Sequence, residues 1–315
     1  MPSWQAQILN LATRAVQKPF VQFASLDLIR RSAARMDARI AKRMPDDLTI
    51  LRDGGQAFRA EWIQIKASKP QRVLMYLPGG AFVVSTPARY RRFVGRFCRL
   101  ANVKAYLVHY GVAPEFPYPH GLNDAIAAYK VLLERGYDPN DIILGGDSAG
   151  GGLALSLLLS IRDQGLPLPA RAVLISPLAD LSYSGASRQF NRAKDPAISD
   201  KRASGMHQLY IGDHDTTLPY LSPAFASFER LPPIFAQVGS TEILLSDSEN
   251  AFESAEKAGT EFHFETWTSM PHIFPVSETL PEAHDASDRI AEFIASGRVL
   301  PMSPRRGVAR STNKA

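Results

Sequence analysis

The sequence predicts an α/β fold built on a mostly parallel, doubly wound sheet with helices on both faces. Three observations predict it. From residue 61 onward, short β-rich runs alternate with runs of helical period. Several strand runs are apolar throughout, as strands covered on both faces should be. The helical runs fall where right-handed crossovers between parallel strands need them.

Taken in order, the first segment carries Ile8, Leu9, Leu11, Ala12 and Val16, then Leu26, Ile29, Ala33, Met36 and Ile40, at near-helical spacing. This predicts two helices broken near Pro19. Strands are expected at 62–65, 73–77, 105–110, 142–145, 172–175, 234–238 and 262–267, and helices at 89–101, 122–135, 149–163, 245–258 and 282–296. Between residues 182 and 222 the alternation stops, and a polar stretch with Asp195, Pro196 and a helix-like run at 201–210 reads as an insertion over the sheet. Residues 301–315 have no apolar period, a composition that predicts a disordered basic tail. The strand at 262–267 is the expected open edge, where two copies can pair into a homodimer.

With 315 residues, 45% hydrophobic and 21% charged, the chain can bury a large core. The single cysteine, Cys98, excludes an intramolecular disulfide and a thiolate metal cluster, and lies among apolar residues as core filler. No run approaches a membrane span, and the N-terminus lacks a signal-peptide pattern, so a cytoplasmic location is expected. The net charge of +5 is concentrated at the ends: residues 1–43 carry +6 and residues 298–315 carry +5, leaving −6 for the body. An acidic body excludes a nucleic-acid groove there, while Arg and Lys flanking apolar helix faces at the N-terminus allow weak peripheral contact with an anionic membrane.

The chemistry is concentrated in the run from Ile142 to Leu153, where a strand, a tight turn and a helix surround Ser148. Gly146 and Gly150 flank it in a Gly-x-Ser-x-Gly nucleophile elbow. The turn demands near-absence of side chains two residues either side of the serine. It also sets the Ala149 amide at a helix N-terminus, where free N–H groups favour developing negative charge, half of an oxyanion hole. After the strand at 73–77, Pro78-Gly79-Gly80-Ala81-Phe82 forms a compact loop able to bring further backbone amides beside the elbow.

The chain order serine, acid, histidine leaves His263, His272 and His284 for the base. His263 sits inside a strand and His284 in the first turn of the last helix. His272 lies on the loop after the last strand, so it is the expected base. Two acids follow the strand at 234–238: Glu242, on the loop, is the expected orienting carboxylate, and Asp247, already on the helix, is its competitor.

With these pieces in hand, the chain from about Arg72 to Phe293 resembles the hormone-sensitive-lipase-like (bacterial family IV) esterases of the α/β-hydrolase fold. The matching stretches are 76–82, 110–119, Gly146 to Gly150, 239–248 and Pro271 to Phe274. The resemblance implies a core over residues 46–300 and a helical cap made from residues 1–45 and the insertion at 182–222. It also implies Gly80, Ala81 and Ala149 as oxyanion donors. Three positions depart from the family pattern: Pro78 stands for the usual histidine, Ala81 for the third glycine, and His109-Tyr110-Gly111 for Asp-Tyr-Arg.

The expected reaction is acyl-enzyme hydrolysis of short- to medium-chain esters, a carboxylesterase activity that requires no metal or cofactor. A deacetylase or amide hydrolase would use the same groups. A small-molecule binding protein on this fold would have no use for His272.

Overall fold

Capping serines start the N-terminal helices of the computed structural model, which describes residues 2–55, 58–301 and 308–313. Ser3 Oγ accepts from the Ala6 amide at the head of α1 (Trp4–Ala12). A π-turn over Thr13–Gln17 then runs without a break into α2 (Lys18–Phe23). The chain turns at Ala24, and Ser25 caps α3 (Leu26–Ala41) by accepting from the Leu28 amide. The break expected near Pro19 is therefore displaced to Ala24. A proline inside a helix removes one N–H and crowds the carbonyl four residues back, and the widened π-turn just before Pro19 relieves both.

The elements that follow are β1 (Leu48–Gly54), β2 (Arg59–Ile65), β3 (Val73–Leu77), α4 (Pro87–Leu100), β4 (Lys104–His109), α5 (His120–Glu134), β5 (Ile142–Asp147) and α6 (Ser148–Asp163). They continue with β6 (Arg171–Ile175), α7 (Ser187–Phe190), α8 (Asp200–Ile211), β7 (Ile234–Gly239), α9 (Leu245–Ala258), β8 (Phe262–Trp267), α10 (Pro281–Ser296) and β9 (Val308–Asn313). The strands form one sheet in the order β1-β2-β4-β3-β5-β6-β7-β8-β9. The run from β4 to β8 is parallel, while β1, β2 and β9 pair antiparallel. This is the α/β-hydrolase architecture.

Strand alternation feeds two cores. Val73, Met75 and Leu77 of β3 pack with α5 and α6 on one face, and Leu74 and Tyr76 pack with α4 and α10 on the other. Both sets are fully buried, which is why the run reads as continuously apolar.

Two parts of the sheet differ from expectation. β1 was not anticipated: Leu48 is buried and Ile50 packs beside it, but exposed Leu51 interrupts the alternation that identifies a half-buried strand. At the other end, residues 308–313 of the tail expected to be disordered form β9, antiparallel to β8. The compositional argument weighed only apolar burial, whereas the free edge of β8 offers backbone donors and acceptors that order a polar segment. The rest of the tail, 302–307 and 314–315, lies outside the described residues. The strand at 262–267 is consequently not the open edge, and a homodimer built through it would have to displace β9.

Candidate active site

The chain leaves β3 to add β4 on one side, then crosses back over β3 to add β5 on the other. At such a switch point the loops leaving the two strands diverge and open a crevice at their C-terminal ends. The β3 loop, with Gly79, Gly80 and Ala81, and Ser148, after β5, both lie there. Both line a cavity of about 510 Å³ together with His272.

Ser148 occupies the left-handed region, with φ of 52°, at the junction of β5 and α6. The packing explains the flanking glycines. A Cβ on Gly146 would come within 2.3 Å of the Gly150 carbonyl oxygen, and one on Gly150 within 2.0 Å of the Leu77 oxygen. No side chain fits at either position without moving backbone.

The sequence-separated groups meet in one line. Ser148 Oγ lies 2.9 Å from His272 Nε2, and His272 Nδ1 lies 2.7 Å from Glu242 Oε2. The other Glu242 oxygen accepts from the Gly239 amide at 2.6 Å and from Ser176 Oγ at 2.7 Å, so the fully buried carboxylate is held from three sides. Burial pushes the His272 pKa down, but the hydrogen bond and charge of Glu242, helped by Asp195 and Asp147, outweigh it. The net result lies above the ordinary histidine value. Asp247 is elsewhere: its carboxylate accepts the Ala179 and Asp180 amides and shares no bond with His272. His263 and His284 also bond elsewhere, to Glu261 and to the Glu278 carbonyl.

The amides of Gly80, Ala81 and Ala149 have no hydrogen-bond partner among the described residues, whereas the Gly79 amide is taken by Asp147 Oδ1 at 3.0 Å. Gly80, with φ of 142°, has no room for a side chain because a Cβ would meet the Val84 oxygen at 2.0 Å. Ala81 tolerates its methyl at a left-handed φ of 53°. The proline that departs from the family pattern is anchored through its carbonyl, which accepts the Tyr110 hydroxyl at 2.6 Å.

Four supporting residues were not singled out from the sequence. Asp147, fully buried beside Ser148, accepts from Gly79 and from the hydroxyls of Tyr76 at 3.0 Å and Tyr90 at 2.7 Å, tying the elbow to the β3 loop. Ser176 donates to Glu242 and accepts the Ile273 amide at 3.2 Å, joining the acid to the histidine loop. An aspartate ending a solidly apolar strand, and Tyr76 within the apolar run of β3, were the available signals.

Residues 74–276 match the alpha/beta hydrolase fold family. An acetyl-hydrolase of Streptomyces hygroscopicus is 38% identical over 75% of this chain and 79% of its own. An esterase of Acinetobacter venetianus is 35% identical over 76% and 79%. The crystal structure of an esterase from the bacterial hormone-sensitive lipase family superposes with a TM-score of 0.86 at 34% identity, covering 94% of this chain and 99% of that one. On this combination of sequence, topology and site geometry, the chain belongs to the hormone-sensitive-lipase-like esterases of the α/β-hydrolase family.

Proposed function

We propose that this carboxylic ester hydrolase cleaves short- to medium-chain acyl esters, with Ser148 as nucleophile, His272 as general base and Glu242 as the orienting acid. The observation that carries the reading is the hydrogen-bonded line from Ser148 through His272 to Glu242 on the wall of the cavity. His272 Nε2 takes the hydroxyl proton as Ser148 Oγ bonds to the acyl carbon, and the same proton passes to the departing alkoxide. Water then attacks the acyl-enzyme, giving one proton to His272, which passes it to Ser148 Oγ as the acid leaves. Gly80, Ala81 and Ala149 donate to the oxyanion; one such donor is typically worth about 3 kcal/mol of barrier.

The acetyl-hydrolase relative favours short acyl groups. We assign residues 46–300 as the core and residues 1–45 with 182–222 as a cap over it. Arg14 and Lys18 donate to the Lys194 and Asp195 carbonyls, and Arg202 to Ala24, joining the two cap segments. Exposed Trp4, Ile8, Leu11, Val16 and Phe23, on a segment of net charge +6, support weak peripheral contact with an anionic membrane. Among the described residues no helix is long and apolar enough to cross a membrane. We place the enzyme in the cytoplasm, where its single buried Cys98 thiol, pushed up to about 12 by burial, stays inert.

Hydrolysis of p-nitrophenyl esters of increasing acyl length tests this. Acetate to hexanoate should turn over, Ser148→Ala should abolish turnover, and Glu242→Ala should lower kcat by on the order of 10⁴-fold. Full activity in Ser148→Ala would overturn the assignment.

A further inference from the structure

A second histidine faces the same cavity. His207 lies on the α8 surface that also presents Ser199, Ala203 and Met206 to it, opposite an apolar wall that includes Phe20, Ile29 and Met36. It is 4% exposed, so its ring is covered except towards the cavity.

His207 is held through one of its ring nitrogens. Its Nδ1 lies 3.0 Å from the Tyr183 hydroxyl, and the two rings stack at an interplanar angle of 13°. With Tyr183 donating and Nδ1 accepting, the proton of the neutral ring sits on Nε2. Burial first, then the charges of Arg188 and His272, push the His207 pKa down to about 3, so the ring is neutral. Nε2 has no partner among the described residues. Nε2 is open to the cavity that His207 lines, where a substrate atom can reach it.

The supporting loop is held for this arrangement. Tyr183 has a left-handed φ of 60°, unfavourable for an aromatic residue. The Asp180 carboxylate accepts the amides of Ser182, Ser184 and Gly185 around it. Arg188, paired with Asp200 at 3.0 Å, lies 4.4 Å over the Tyr183 ring and keeps the stack in place. Strain of this kind persists where surrounding contacts over-determine it, and here they orient the imidazole towards the cavity.

We propose that Tyr183 donates to His207 Nδ1, that the resulting Nε2–H is a substrate-recognition donor, and that the enzyme selects esters bearing an uncharged acceptor oxygen, a ketone, ether or hydroxyl, on the chain that lies along α8. The inference rests on the esterase reading above and names its substrate class. Arg188 and Tyr183 act as positioning residues.

The test is equilibrium binding to the Ser148→Ala protein, where bound ester is not consumed. The probes are methyl hexanoate, its 3-, 4- and 5-oxo analogues, and 2-oxopropyl and propyl butyrate as the pair with oxygen in the alcohol part. At least one oxo ester should bind about fivefold more tightly than its alkyl counterpart, the worth of one net hydrogen bond. That ratio should fall to about one when His207→Phe is added, and should be partly restored by His207→Gln, which keeps an N–H. Comparing two ligands on one protein cancels any general loss of affinity. Should His207→Phe fail to fold, Tyr183→Phe, which frees the tautomer, must lower the ratio. No preference at any oxygen position, or a preference that survives these substitutions, overturns the proposal. Failure of the esterase reading shows separately, as absent turnover in the protein that retains Ser148.

Discussion

At the scale of single residues, the site depends on how Glu242 sets the protonation of His272. In the proposed mechanism His272 acts as a general base through its neutral imidazole, so activity should rise with pH through the His272 pKa and be lost below it. Because Glu242 holds that pKa above the ordinary histidine value against the opposing effect of burial, the acid limb of kcat/KM should lie above pH 6.5. Glu242→Gln removes the charge and leaves burial less opposed, so its acid limb should shift to lower pH. A pH profile of both proteins checks this, and an unmoved limb in Glu242→Gln would contradict it. The hydrogen-bonded line of Ser148, His272 and Glu242 was legible in the sequence because an elbow motif and a fixed chain order restrict the choices. Asp147 and Ser176 were not, because their partners come from other elements: Tyr76 on β3, Tyr90 on α4, and Ile273 on the loop after β8. His207 was hidden for the same reason, since α8 reads only as a short helix until the cavity brings it opposite α3.

At the scale of elements, Asp247 shows how a helix start is joined to the sheet. It sits in the first turn of α9, where one oxygen accepts the Ala179 and Asp180 amides from the loop after β6. Burial pushes its pKa up to about 7, with Asp180 adding to the rise and Arg188 and the two amides opposing it. The folded state therefore holds the proton more tightly than the unfolded chain. This contribution to stability is complete below the unfolded pKa near 3.8 and is lost as pH rises through about 7. Asp247→Asn preserves the acceptor and cannot ionise. Denaturation midpoints across that range should show a flatter decline than wild type while ester turnover is retained, and an activity loss matching that of Glu242→Ala would make Asp247 the orienting acid instead. The sequence located the parallel strands well because each is covered on both faces. It missed β1, where Leu51 points to solvent, and β9, whose order comes from backbone pairing that composition does not register.

At the scale of the whole molecule, the doubly wound sheet brings a glycine loop, an elbow and a histidine loop to one edge from positions 79 to 272. The switch between β3 and β5 creates the crevice, and residues of the N-terminal helices and of α8 line it. Arg30 fastens α3 to the loops after β3 and β4 by donating to the Val83 and Ala113 carbonyls and pairing with Glu115. The central claim is that this architecture activates one serine among many. The most direct measurement is reaction with a fluorophosphonate, followed by intact-mass and peptide analysis. The account predicts a single adduct on Ser148, absent in Ser148→Ala and strongly slowed in His272→Ala. An adduct on another residue, or ester turnover in a protein that takes up no probe, would contradict it.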